Sequence, residues 1–368
     1  MQCQLSRATV AGIMAQVTRT SRRTTKAVKL SDVARHAGVS AMTVSRVINQ
    51  ESGVRTDTRE KVLEAVETLN YRPNKSARTL ARGADAHIGL IYANPSDSYL
   101  GRFLHGALEA AQRTDSHLIV ETCDNKSTAS YVASAMRLVR ANVAGVLLPP
   151  PISGSDAVLS IFEESGTPVA TVSRFSQDPN ALDISIDDKG AAAQMTRHLI
   201  DLGHRRIGFI RGPADQASSK LREDGFRGEM QNAALDIPPD YIVDGQFTYR
   251  SGVSAAEQLI DLEVPPTAIF ASNDDMAAAA IGVAHRRGLV VPGDLSVVGF
   301  DNSASALSVW PELTTVDQPV SAMASAAFEL VREAVSTEPQ NTDTPRAGPA
   351  IECGLIIRGS SGAATQTT

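Results

Sequence analysis

The chain has 368 residues, 42% of them hydrophobic and 21% charged, which suits an ordinary globular protein of two or three domains. Its net charge of −6 hides an asymmetry: residues 1–83 carry 15 Lys and Arg against 6 Asp and Glu, the remainder 20 against 35, as if a basic nucleic-acid module were joined to an acidic body that does not touch nucleic acid. Cys3, Cys123 and Cys353 lie far apart in no metal-ligand spacing, and no apolar run nears the ~20 residues of a membrane span, which argues against a disulfide framework, a zinc site and a membrane protein and predicts reduced thiols in the cytoplasm.

Residues 1–28 are rich in Ser, Thr, Arg and Gln without periodicity and read as a disordered basic tail. The apolar patch at 10–17 precedes its basic residues, the reverse of a secretory signal. From residue 30 the pattern is helical: Leu30, Val33, Ala34 and Ala37 share one face, Gly38-Val39-Ser40 breaks it, and Ser40 caps a second helix with Val44, Val47 and Ile48 inward. A third helix starts at Thr56 or Asp57, repeats Val62, Leu63, Val66 and Leu69, and ends at Asn70 and the Pro73 turn. Residues 74–85 are too polar to fold alone, although Ala77, Leu80 and Ala81 form one helical stripe; so short a helix orders only when docked.

From residue 87 short apolar runs alternate with amphipathic helices. Strands are expected at 88–92, 117–121, 145–148 and 168–172, then at 206–210, 242–244, 268–271 and 296–300, with helices at 104–113, 129–140, 157–164, 191–202, 222–234, 249–262 and 276–287 between them. Such alternation means parallel sheets, and two cycles mean two doubly wound α/β lobes. Residues 336–350 read as a mobile loop, 351–357 as a last strand, and the tail beyond Gly359 as disordered.

The segment LSDVARHAGVSAMTVSRVIN at 30–49 reads as a helix-turn-helix. Ala34 lets the helices approach, and Gly38 supplies the positive backbone angle that turns the chain. Ala41, Met42, Ser45 and Arg46 face outward on the second helix. Arg46 can make two hydrogen bonds to a guanine edge, Ala41 and Met42 can touch a thymine methyl, and Thr43, Ser45 and Asn49 suit phosphates.

In open parallel sheets ligands bind beyond the carboxyl ends of the strands. Asn94, Asp97 and Tyr99 follow the first strand, and Ser173 and Arg174 the fourth. In the second lobe Arg222 opens a helix, Phe247 follows a strand, and Asn273, Asp274 and Asp301 follow two more. Amide, carboxylate and guanidinium groups beside an aromatic face are the mixture that sugar hydroxyls and ring C–H edges require. Core packing of Phe247, helix capping by Asp274 and a surface ion pair of Arg222 with Glu223 or Asp224 are the plain alternatives.

The helix-turn-helix together with REKV at 59–62, LNYRPN at 69–74, LIDLGHRRIGFIRG at 199–212, FASNDDM at 270–276, VPGDLSVVGFD at 291–301 and LTTVDQP at 313–319 resembles the LacI/GalR family of bacterial repressors, from about residue 30 to 357. The resemblance implies a helix-turn-helix domain at 29–75, a hinge helix or linker at 76–85, and a periplasmic-binding-protein-like core. The core N-lobe would span 86–185 and 316–345, the C-lobe 186–315 and 350–358, with a disordered tail at 359–368. It implies a homodimer through the core lobes on palindromic operator DNA, with Leu80 wedged into the minor groove and Ser40, Asn74, Ala77 and Ala81 on the same DNA-facing surface. Arg222, Asn273 and Asp301 would bind effector hydroxyls and Phe247 would stack on them, with Asp97, Tyr99 and Ser173 as further ligand residues. Ser173 stands where some sugar repressors carry an acid, and Ala41-Met42 differ from the lactose repressor's pair, so effector and operator should differ from that protein's. The absence of a leucine-rich tetramerisation tail favours a dimer.

No P-loop, dinucleotide fingerprint or nucleophile elbow occurs, and the histidines lack ligand spacing, so neither an enzyme nor a cofactor is expected. The expected function is a sugar-responsive transcriptional repressor. The alternatives are a corepressor-dependent regulator responding to a purine or sugar phosphate, and a cytoplasmic sugar-binding protein.

Overall fold

The computed structural model describes residues 30–48, 55–69, 86–93, 95–124, 127–176, 178, 180–336 and 351–365, which fall into two compact units, a head and a core. The expected tail at 1–28, Asn49, Asn74, the hinge at 76–85 with Ala77, Leu80 and Ala81, Asn94 and most of the loop at 336–350 lie outside the described residues, as does the side chain of Ser45.

The head contains α1 (Leu30–Ala37), α2 (Ala41–Ile48) and α3 (Thr56–Thr68). Val33, Ala34, Val44, Val47, Val62 and Ala65 form its core; the stripes read from sequence pack where their side chains are described, except that Leu63 of α3 is exposed and Ala65 is buried instead. The turn between α1 and α2 depends on Gly38 at φ +66°, with the Val39 N–H closing on the Ala34 carbonyl at 3.0 Å. Ser40 Oγ accepts the Thr43 N–H at 3.1 Å, satisfying one of the open donors at the start of α2.

The core holds two parallel sheets. The first runs β2-β1-β3-β4-β5 and comprises β1 (His87–Tyr92), β2 (His117–Thr122), β3 (Gly145–Leu148), β4 (Val169–Val172) and β5 (Leu182–Ile184). The second runs β7-β6-β8-β9 and comprises β6 (Ile207–Arg211), β7 (Ile242–Asp244), β8 (Ala268–Ala271) and β9 (Ser296–Val298). Both sheets begin with the same winding, as two cycles of strand and helix require. Helices α4 (Asp97–Arg113), α5 (Thr128–Arg140) and α6 (Asp156–Ser165) serve the first sheet; α7 (Asp188–Asp201), α8 (Ala217–Asn232), α9 (Tyr249–Ile260) and α10 (Asp274–Arg286) serve the second. The inner strands β1, β3, β4, β6 and β8 bury both faces: Ile88 and Leu90 of β1 enter one apolar cluster, Ile91 another.

After β9 come the short helix α11 (Ala304–Ser308), β10 (Thr315–Asp317), α12 (Val320–Ser336) and β11 (Gly354–Ile356). β10 and β11 pair antiparallel, with Thr315 opposite Ile356. α12 returns to the first sheet and lies along α4. Gly106 permits that approach, because a Cβ there would sit 2.0 Å from the Ser321 carbonyl oxygen.

Besides α12, which the sequence reading did not include, three features differ from the expectation. α4 begins at Asp97, not near 104, because Ser96 caps it by accepting the Tyr99 N–H; Tyr99 and Phe103 carry its apolar face back to the cap, a stretch the sequence reading left out. α8 begins at Ala217, so Arg222 lies in its second turn and does not open it. The tail expected to be disordered from 359 is ordered through residue 365: Val297 N donates to Ser360 O at 2.8 Å and Ala364 N to Leu202 O at 2.8 Å. Its small polar residues carry no apolar signal, yet they supply the hydrogen bonds that the flank of β9 lacks. Ser360 Oγ accepts from Thr314 N at 2.8 Å and donates to Val297 O at 2.6 Å. Ser360→Ala would orphan both buried groups at about 1–3 kcal/mol each. At roughly 2–4 °C per kcal/mol, thermal unfolding of this variant should show a Tm several degrees below that of the wild type.

Candidate functional site

On the head, Ala41, Met42 and Arg46 of α2 are exposed together, Met42 to 66%. An apolar side chain that open on a polar helix face has no packing role. Thr43 is partly covered and shares a hydrogen bond with Ser40 Oγ. The predicted outward set is therefore one surface for the residues whose side chains are described.

In the core the carboxyl ends of both sheets open onto one narrow cleft with about 30 Å³ of free space, room for a water or two. Ser96 and Tyr99 follow β1, Pro150 follows β3 and Ser173 follows β4. Across the cleft Gln216, Ser218 and Arg222 follow β6, Phe247 follows β7, Asn273 follows β8, Asp301 follows β9, and Gln318 follows β10. Most lining residues thus come just after a strand, where a doubly wound sheet binds its ligand, while Arg222 reaches in from the second turn of α8.

Arg222 is the centre of the cleft and is only 4% exposed. Its Nε donates to Asp188 Oδ1 at 2.7 Å, Nη1 to the Ser272 carbonyl at 2.6 Å, and Nη2 to Gln318 Oε1 at 3.3 Å. Asp301 Oδ1 stands 3.7 Å from Nη1. The guanidinium lies 3.6 Å from the centroid of the Phe300 ring and 5.9 Å from that of Phe247, so a cation–π contact adds to the charge pairing. The surface ion pair with a neighbour in sequence does not form; the partner is a buried aspartate 34 residues earlier.

The remaining predicted residues are held in specific ways. Asn273, not Asp274, caps α10, accepting from Met276 N at 3.0 Å while its amide donates to the Phe247 carbonyl at 3.2 Å. The Phe247 ring occupies space that Gly212 leaves: a Cβ there would lie 2.2 Å from Phe247 Cζ. Ser173, Phe247 and Asp301 all have positive φ, at +54°, +55° and +125°, a strained backbone for non-glycine residues. The Tyr99 hydroxyl is buried with no hydrogen-bond partner in the protein, and burial pushes its phenol above the usual range. Asp97 is not brought to the cleft; it is exposed in the first turn of α4, where an acid favours the helix N-terminus.

Ser96, Pro150, Gln216, Ser218 and Gln318 were missed in the sequence, although the strand-end rule that selected the others applies to each. Gln318 lies within the LTTVDQP motif and Gln216 and Ser218 in the loop after β6. Behind the lining sits an acidic group. Asp274 accepts from Ser303 N at 2.6 Å and Thr315 Oγ1 at 2.5 Å; Asp275 accepts from Ser305 and, across the lobes, from Ser96 at 2.9 Å. No cluster of three metal-ligating side chains exists among the described residues, and no helix among them is long and apolar enough to cross a membrane.

Residues 29–74 match the bacterial regulatory proteins of the lacI family, and residues 196–361 match the periplasmic binding protein-like domain. Catabolite control protein A of Priestia megaterium is 33% identical over 318 residues, covering 84% of this chain and 93% of that protein. The chain belongs to the lacI family. It is a DNA-binding transcriptional regulator built as a helix-turn-helix head on a periplasmic-binding-protein-like core. Among solved structures, the transcriptional regulator CelR in complex with cellobiose is 29% identical, with a TM-score of 0.69 over 91% of this chain and 100% of its own. The lac repressor dimer bound to operator and the anti-inducer ONPF is 26% identical, with a TM-score of 0.70 over 92% and 100%.

Burial raises the Asp274 carboxyl to about 7, against the lowering effect of its Thr315 and Ser303 hydrogen bonds. A folded-state value above the unfolded one means the folded core holds the proton more tightly. That stabilisation is complete below about pH 4 and is lost as pH rises through about 7. In Asp274→Asn this part of the pH dependence should vanish, because Asn keeps an acceptor for Ser303 N and a donor for Thr315. Urea midpoints of both proteins between pH 4.5 and 8 read the difference.

Proposed function

We propose that this regulator is a cytoplasmic homodimeric repressor of palindromic operator DNA, released by a small sugar bound in the cleft. The observation that carries the reading is the composition of the lining. Tyr99, Ser96 and Ser173 from one lobe face Arg222, Asn273 and Asp301 from the other, beside the Phe247 ring. Hydroxyl, amide, acid and guanidinium groups around one aromatic face match a polyhydroxylated ring, and the unpartnered Tyr99 hydroxyl is a donor waiting for such an acceptor. The cellobiose-bound relative supports a sugar, and the operator-bound dimer supports the DNA and the pairing of copies.

A ligand that touches both lobes binds better when they are close, and it shifts the protein towards that arrangement by its differential affinity. Coupling of roughly 1–3 kcal/mol between cleft and operator would give about 5–150-fold control.

Two variants test the parts separately. Arg46→Ala should weaken binding to the preferred operator by about 1–3 kcal/mol and relax one base position; fluorescence anisotropy against a library of palindromes measures both. Tyr99→Phe removes one ligand hydrogen bond and no protein one, so sugar affinity should fall by about 0.5–1.5 kcal/mol. Its Tm and its operator affinity without sugar should be unchanged. A panel of neutral sugars, sugar phosphates and purines, scored for release of operator, identifies the effector. A ligand that tightens operator binding would reverse the sign of the switch.

A further inference from the structure

A cleft arginine is the usual anchor for a carboxylate or phosphate, because its planar fork makes two parallel hydrogen bonds to one anion. Here the fork is occupied. Three of the five N–H donors of Arg222 are taken, and with Nε bound to Asp188 the side-on fork is closed, which leaves one donor on each terminal nitrogen. Asp188 is fully buried, and its second oxygen has no protein partner, so its charge is directed at Arg222. Asp301 adds a second acid within 4 Å of the same guanidinium.

Charges further out do not restore a positive field. Arg102 is the other cation nearby, with its donors on the carbonyls of Asp301, Asn302 and Gln318. It is offset by Asp275 behind the lining and in part by Asp274, whose raised carboxyl is only partly charged at neutral pH. An incoming anion would meet a neutralised arginine beside an aspartate, in a site too buried for salt to screen.

We propose that Asp188 is a specificity-determining residue, pairing with Arg222 so that the cleft accepts uncharged polyhydroxylated ligands and rejects their carboxylated and phosphorylated counterparts. This rests on the cleft being the effector site. Asp188 acts through Arg222, at the first residue of α7, so it is a positioning residue whose effect appears in charge selectivity.

The test is isothermal titration of the full-length protein with matched pairs: glucose, galactose, ribose and cellobiose, each beside its acid and its phosphate ester. At least one neutral sugar should bind, with its anionic counterparts at least about tenfold weaker. Asp188→Asn keeps the acceptor for Nε and removes the charge; neutral affinity should stay within about threefold and the discrimination should shrink about tenfold or more. An anion that binds the wild type more tightly than its neutral partner overturns the proposal while leaving the effector site in place, and so does an unchanged ratio in Asp188→Asn. If that variant does not fold, the wild-type ratio still decides against the proposal where the anion wins, and where the neutral sugar wins Asp188→Ser supplies the comparison, with an unchanged ratio overturning the proposal and a reduced one supporting it. Should no sugar of either charge bind, the cleft reading fails and the proposal falls with it.

Discussion

The buried guanidinium of Arg222 is the constraint around which the core is arranged. A charge taken that far from water is tolerated only with partners in good geometry, and its partners come from distant stretches of chain. Asp188 heads α7, Ser272 follows β8, Gln318 follows β10, and Asp301 follows β9. Holding them together requires α7 and α8 to lie very close. Gly225, one turn beyond Arg222, allows this, since a Cβ there would sit 2.2 Å from the Lys189 carbonyl oxygen. Phe226 then stacks on Phe209 of β6 at 4.9 Å, fixing the helix pair to the sheet. The polar centre and the apolar core specify the same packing.

Much of this was legible in the sequence where a local rule applied. Period gave the strands and most helices, because both faces of a parallel strand are apolar and one stripe of each helix is. The strand-end rule found Tyr99, Ser173, Phe247 and Asp301 without knowledge of the opposite lobe. What escaped depends on contacts distant in the chain. Asp188 reads as one of two acids at a helix start; its pairing with Arg222 is set by tertiary packing. Asn273 and Asp274 are adjacent candidates for one cap, and only the fold shows that Asn273 takes it while Asp274 turns to Ser303 and Thr315. The strands β5 and β10 have three residues each, too few to show a period. The ordered tail is polar, and what fixes it is the backbone of β9 and the loop before β10.

The two lobes are tied by protein groups as well as by any ligand. Ser96, the cap of α4, reaches Asp275 in the first turn of α10, and Arg102 donates to the carbonyls of Asp301 and Asn302 at 2.6 and 3.3 Å. Since these ties hold the lobes without a ligand, an effector changes the balance only through contacts they do not already make. Groups with spare capacity among the cleft-lining residues include the Tyr99 hydroxyl and the remaining Arg222 donors, beside the carboxyl of Asp301. All stand at the cleft, and they lie on both sides of it.

The strained backbone at the same place follows from this division of labour. Asp301 at φ +125° is held by its own N–H to Val316 and by its carbonyl, which accepts from Arg102 and Gln318. Those main-chain bonds join it to β10 and to the opposite lobe, and the side chain is left to face Arg222. Such a conformation costs on the order of 1–3 kcal/mol and persists only when its surroundings over-determine it, as they do here. Relaxing it would turn the carboxylate away from the guanidinium, and the electrostatic balance of the cleft would change with it. Backbone strain at Asp301 and burial of Asp188 therefore serve one end: both keep an acid against Arg222, from the ligand side and from the core side.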